Sequence, residues 1–123
     1  MVSRAVRGRI DESGKVLLPI IVIASDGLEI EVEALINLEF CGALVIPEEL
    51  AGSLGWRCLG ARRVAVGVEI RLMHHYLGMM AIGGDPRNVV VLGGIKPQAI
   101  IGQKLMSGRK LTVDFSLGQV LLE

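Results

Sequence analysis

From Val6 to Leu122 the chain is a succession of short apolar runs, each stopped by a glycine or a polar turn. The clearest pattern lies in its first third. Leu28, Ile30, Val32 and Ala34 fall on one side, and Glu29, Glu31 and Glu33 on the other. A period of two is that of a β-strand with one buried and one wet face. Three carboxylates at this spacing need no explanation beyond a solvated strand face. At Leu35-Ile36 both sides turn apolar, so the strand enters the interior as it reaches Asn37. By the same reasoning strands are predicted over Val6–Ile10, Lys15–Ile23, Leu44–Ile46, Asn88–Leu92, Ala99–Ile101 and Val120–Leu122. Arg62–Ile82 predicts two long strands with a bend at Gly67 or Gly78, and Lys110–Phe115 a strand with Leu111, Val113 and Phe115 on one face. Pro19 marks its own strand as an edge or a bulged one.

The breaks carry their own chemistry. Asp11-Glu12-Ser13-Gly14 is a turn, and Asp26-Gly27 predicts a two-residue hairpin loop of primed type. Gly83-Gly84-Asp85-Pro86 is expected to turn, and Gly93-Gly94-Ile95-Lys96-Pro97 to form a loop. Pro47 suits the first turn of a helix, with Glu48 and Glu49 at its positive end and Gly55 as its stop. Leu50 and Leu54 would face inward from it, with Trp56 packed beneath. Gln103–Ser107, closed by Gly108, predicts a second short helix.

Composition sharpens this into a fold class. At 51% hydrophobic but only 3% aromatic residues, the core must be built from Val, Ile and Leu. Sixteen glycines suit short strands and tight turns and argue against a helical bundle. The expectation is one mostly β domain over residues 1–123 with one or two short helices. A formal net charge of +0 gives no electrostatic claim on nucleic acid or an anionic membrane. Arg4, Arg7, Arg9, Arg57, Arg62 and Arg63 are read as solvated cations on a neutral protein. No apolar run reaches the length of a membrane-spanning helix, and no signal-type stretch follows the first arginines, so the expected setting is the cytoplasm. Cys41 and Cys58 fit no metal spacing and are expected as free thiols. His74-His75 on a strand face opposite ways and cannot chelate one ion, so neither metal nor cofactor is expected.

The segment Ala34-Leu35-Ile36-Asn37-Leu38-Glu39 leads through Phe40-Cys41-Gly42-Ala43 to Leu44-Val45-Ile46-Pro47. It has an echo in Ala99-Ile100-Ile101-Gly102-Gln103-Lys104-Leu105-Met106, another apolar strand ending in a loop that opens a helix. With Val89-Val90-Val91-Leu92-Gly93 before the echo and Leu111-Thr112-Val113-Asp114-Phe115 after it, this ordered set resembles the retropepsin-like aspartic peptidases over residues 14–123. The resemblance implies a closed, retropepsin-like β-barrel, a homodimer, a hairpin flap over Arg63–Arg71 with Val66 and Gly67 near its tip, and a groove for an extended peptide. Val66, Gly67, Val68, Ile101 and Gly102 would line that groove.

Where the family carries Asp-Thr-Gly, this chain has Asn37-Leu38-Glu39. The family chemistry needs two carboxylates sharing a proton, one from each protomer. Asn37 offers a neutral amide that is neither a base nor an acid at useful cost. Leu38 lacks the bracing hydroxyl, and Glu39 puts a side chain where a glycine is expected. The sequence therefore points to a homodimeric peptide-binding or assembly module without peptidase activity. The alternative is an endopeptidase that uses Glu39 as a displaced catalytic carboxylate.

Overall fold

The computed structural model describes residues 5–123, so Arg4 lies outside the described residues. Ten strands and two short helices follow one another as β1 (Val6–Ile10), β2 (Val16–Ile23), β3 (Glu29–Ile36), β4 (Leu44–Pro47), α1 (Glu48–Ser53), β5 (Arg57–Val66), β6 (Glu69–Ile82), β7 (Asp85–Gly94), β8 (Ala99–Ile101), α2 (Gln103–Met106), β9 (Leu111–Asp114) and β10 (Gln119–Leu122). In space the order is β5-β6-β7-β4-β8-β3-β2-β1-β10-β9, and a further pairing of β6 with β2 closes six strands into a barrel. The strand-rich architecture is the one the alternation and composition predict, and its closure is the one the family resemblance implies. No helix among the described residues is long and apolar enough to cross a membrane.

The barrel closes because β2 has two neighbours on one side. Its start pairs with β1 through Leu17 and Val16, and its end with β6 through Ile21 and Val22. Pro19 falls between those two stretches, where a missing N–H breaks no ladder bond on that side. The other side pairs with β3 throughout, from Leu17↔Leu35 to Ile23↔Glu29. Leu18, Ile20 and Val22 point into the core with Leu44, Ile46, Met80, Val91 and Ile101. The wet face of β3 is as predicted, with Glu29, Glu31 and Glu33 exposed. Glu33 accepts two hydrogen bonds from the Arg9 guanidinium, which hold its carboxyl below the usual range.

Several local expectations are corrected. The Asp26-Gly27 hairpin is not a two-residue primed turn. Ala24 and Leu28 close a three-residue loop, and only Gly27 has positive φ, at +92°. Asp26 instead accepts from the Leu28 N–H, so the loop matches a type I turn with a following left-handed glycine. Pro47 is the N-cap with extended ψ, one residue before the helix, while Gly55 stops it as expected at φ +75°. The first of the two long strands starts at Arg57, not Arg62. Gly67 makes the turn after it, whereas Gly78 lies inside β6 and pairs with Val89. A Cβ at Gly78 would come within 3.0 Å of the Trp56 ring, so this glycine makes room for packing. Asp85 and Pro86 belong to β7, paired with Ile82 and Ala81. Gly93 and Gly94 also belong to β7, paired with Ile46 and Pro47. Phe115 lies beyond the end of β9 and is 69% exposed.

Helix α1 is fastened to the sheet by Glu48. Its carboxylate accepts from the Tyr76 hydroxyl at 2.5 Å and lies 2.8 Å from His74 Nδ1. Gly93 leaves the space, since a Cβ there would meet Glu48 Oε1 at 2.5 Å. The bond to a carboxylate, aided by burial, pushes the Tyr76 hydroxyl up to about 12 from 10.0. A raised folded-state value means that this tie contributes fully below pH 10 and is lost as pH climbs from 10 toward 12. Alkaline melts should therefore fall more steeply over that window in the wild type than in Tyr76→Phe, which should itself lose about 1 kcal/mol at neutral pH.

Candidate functional site

The two strands that echo each other in sequence lie side by side. Ala34, Leu35 and Ile36 of β3 pair in parallel with Ala99, Ile100 and Ile101 of β8. Their ends cross-link: the Asn37 N–H donates to the Ile101 carbonyl and the Gly102 N–H to the Ala43 carbonyl, both at 2.9 Å. The loop from Asn37 to Ala43 is thereby pinned at both ends. Helix α2 braces its middle. The Gln103 and Lys104 N–H groups donate to the carbonyls of Phe40 and Gly42, and the Gln103 side-chain amide donates to the Leu38 carbonyl at 2.5 Å.

Asn37 accepts from the Glu39 N–H within the loop, through Oδ1 at 3.0 Å. That is an Asx-turn, a local role for which asparagine is well suited. Glu39 does not need to be a glycine. No non-glycine residue among the described ones has positive φ, so its backbone carries no left-handed strain. Its side chain is exposed, and no hydrogen bond holds its carboxylate among the described residues. Leu38 is 51% exposed at the loop's tip.

The residue that organises this loop is one the sequence reading passed over. Phe40 is 3% exposed and packs with Val45, Met73 and Leu92, against which Val64 and Ile100 are also laid. Its ring covers two glycines. A Cβ at Gly42 would lie 2.4 Å from Cζ, and one at Gly102 would lie 2.6 Å from Cδ2. A large aromatic residue with a glycine two positions later could have signalled this stacking.

A hairpin of β5 and β6 reaches over the loop. Val66 and Glu69 pair at its end, leaving Gly67 and Val68 as a two-residue turn with Gly67 at φ +62°. Two open cavities flank it. One, of about 300 Å³, is lined by Val45, Gly67, Val68, Met73, Ile95 and Ile100 among others. The second, about 410 Å³, includes Glu39, Cys41, Arg62, Arg63, Val64 and Lys104. Phe40 and its cluster form their common apolar floor.

Of the residues expected to line a groove, Gly67 and Val68 lie at the first cavity. The Val66 side chain lies outside the described residues. Ile101 is fully buried in the main core, and Gly102 is covered by Phe40 and the Gly42 carbonyl, so the lining role on β8 falls to Ile100. His74 faces Glu48, while buried His75 Nδ1 has no partner among the described residues. No cluster of three or more His, Cys, Asp or Glu side chains among the described residues is placed to hold a metal ion. Cys41 and Cys58 are free and exposed.

No family model matches the chain, and no curated protein matches it by sequence. Comparison with solved structures finds the crystal structure of a retropepsin-like aspartic protease from Rickettsia conorii. It has a TM-score of 0.64 at 13% identity, covering 98% of this chain and 91% of that one. At that identity the likeness is one of backbone, and together with the closed barrel, the pinned loop and the overhanging hairpin it shows that this chain has the retropepsin-like fold.

Proposed function

We propose that this protein is a retropepsin-like domain without peptidase activity, working as a homodimeric module that binds an extended peptide or assembles with itself. The observation that carries the reading is Asn37, a neutral amide whose Oδ1 accepts from the Glu39 N–H. A side chain that cannot exchange a proton near neutrality cannot activate water as a general base. Glu39 offers a carboxylate two residues on, yet no hydrogen bond among the described residues positions it. Acid–base catalysis depends on placement to a fraction of an ångström.

The dimer is supported by apolar groups left uncovered where the family places its two-fold axis. Leu38 at the loop tip is 51% exposed and Val68 at the hairpin tip is 103% exposed. Two such tips brought together by symmetry would each remove the other's apolar surface from water. A cytoplasmic setting suits two exposed free thiols.

The test is incubation with a mixed peptide library from acid to neutral pH, read by mass spectrometry, with Asn37→Ala and Glu39→Gln alongside. No cleavage at any pH is expected. Cleavage that survives Asn37→Ala but disappears in Glu39→Gln would overturn the reading in favour of a displaced carboxylate. Sedimentation of the wild type should show a dimer, weakened in Leu38→Glu.

A further inference from the structure

We infer that the outer edge of β5, together with the cavity beside it, binds an extended acidic segment of another protein by strand addition. The inference rests on reading the protein as a binding module and names the chemistry of its partner. Strand β5 ends the ten-strand order and, among the described residues, pairs only with β6, so its other edge presents backbone groups with no partner among them. Arg57 to Ala65 is exposed apart from half-buried Val64. A ten-residue open edge is long for a strand left without a partner.

The cavity beside that edge has a biased charge. Arg62 and Arg63 of β5 and Lys104 of α2 line it, against the single carboxylate of Glu39. None of the three cations forms an ion pair among the described residues, whereas Arg9 and Arg71 do. The floor below them is apolar, from Phe40, Val64 and Leu92. Adjacent strand residues face opposite ways, so Arg62 shares the Val64 face and Arg63 lies on the other. An incoming alternating strand would set its apolar side chains over the floor on the first face and its carboxylates beside Arg63 on the second. Guanidinium matches carboxylate geometry with paired hydrogen bonds. Basic residues on an edge can also serve to repel other edges, and an acidic strand is the partner that they do not repel. The cavity has no exposed aromatic side chain on which a nucleobase could stack, which favours a peptide over a single-stranded nucleic acid.

The experiment uses three fluorescein-labelled peptides of alternating sequence, Glu-Val, Gln-Val and Lys-Val, titrated with the full chain by anisotropy, with an oligothymidylate as competitor. The Glu-Val peptide should bind about tenfold or more tighter than Gln-Val, with affinity falling as salt rises. R62E/R63E, and separately K104E on the other wall, should lose about tenfold of that affinity while melting like the wild type. Equal binding of Glu-Val and Gln-Val would overturn the acidic preference yet leave the binding-module reading standing. Binding retained in both reversal variants would place the peptide elsewhere and overturn the site. Displacement by the oligonucleotide at lower concentration than the peptide itself would overturn the choice of partner, and absence of all peptide binding would overturn the inference outright. Cleavage of the peptides would instead count against the non-peptidase reading.

Discussion

Gly102→Ala is expected to prevent stable folding. The new methyl group would sit 2.2 Å from the Gly42 carbonyl oxygen and 2.7 Å from that of Phe40, both main-chain atoms, and 2.6 Å from the Phe40 ring. Main-chain atoms pinned by hydrogen bonds cannot turn aside as a side-chain end can. The Gly42 carbonyl accepts from Lys104 and the Phe40 carbonyl from Gln103, so relief of the clash breaks the bracing of the loop. The sum of overpacking and lost hydrogen bonds is on the order of 4 kcal/mol or more, a large share of a small domain's stability. Thermal melts or urea titrations would measure it. A soluble variant melting within a few degrees of the wild type would show that the loop is not held as described. Gly14→Ala is a useful control, because nothing lies within 4 Å of its added Cβ. Its loss should be confined to the strain of φ +87°.

Phe40→Ala should cost about 3–5 kcal/mol through the cavity it leaves, and it should do so unevenly. The ring is the contact that joins the loop to Met73 and Val64 of the hairpin and to Leu92 of β7. Its removal should therefore free the hairpin before it affects the main barrel. Hydrogen exchange is the discriminating measurement: amides of β5 and the first half of β6 should lose protection ahead of those in β2 and β3. Uniform loss across all strands would mean that Phe40 is an ordinary core residue with no special hold on the hairpin. Phe40→Leu should recover much of the stability, since it refills most of the volume.

The barrel was legible where burial imposes a simple period. β3 could be read because one face is wet, and β2 because a strand between two neighbours is apolar on both faces. The echo between the two halves was legible as well, and its members turn out to be parallel neighbours. Gly93-Gly94 was not legible as strand, because the reason for those glycines lies elsewhere in the sequence: Glu48 presses on one and Val45 on the other. A glycine pair that yields space to a distant side chain looks the same as one that makes a loop. Phe115 failed for the opposite reason, since local alternation continued past the point where the partner strand stops supplying pairs. At the candidate site, the absence of an Asp from Asn37-Leu38-Glu39 was plain, but the device that holds the loop was not. The stacking of Phe40 over Gly42 and Gly102 joins positions about sixty residues apart, and only the register of β8 against β3 and β4 brings them together.

That register also shapes how the molecule must be assembled in time. Strands β3 and β4 follow each other in the chain but never pair; β8, arriving late, slides between them as their shared neighbour. A nascent chain therefore cannot seal this wall hairpin by hairpin as it emerges. Until β8 is synthesised, two apolar edges stand apart with nothing to join them, and the closing step has a high contact order. Refolding should be slow for a domain of this size, and the waiting edges of β3 and β4 are where a chaperone would find its grip or an aggregate its seed.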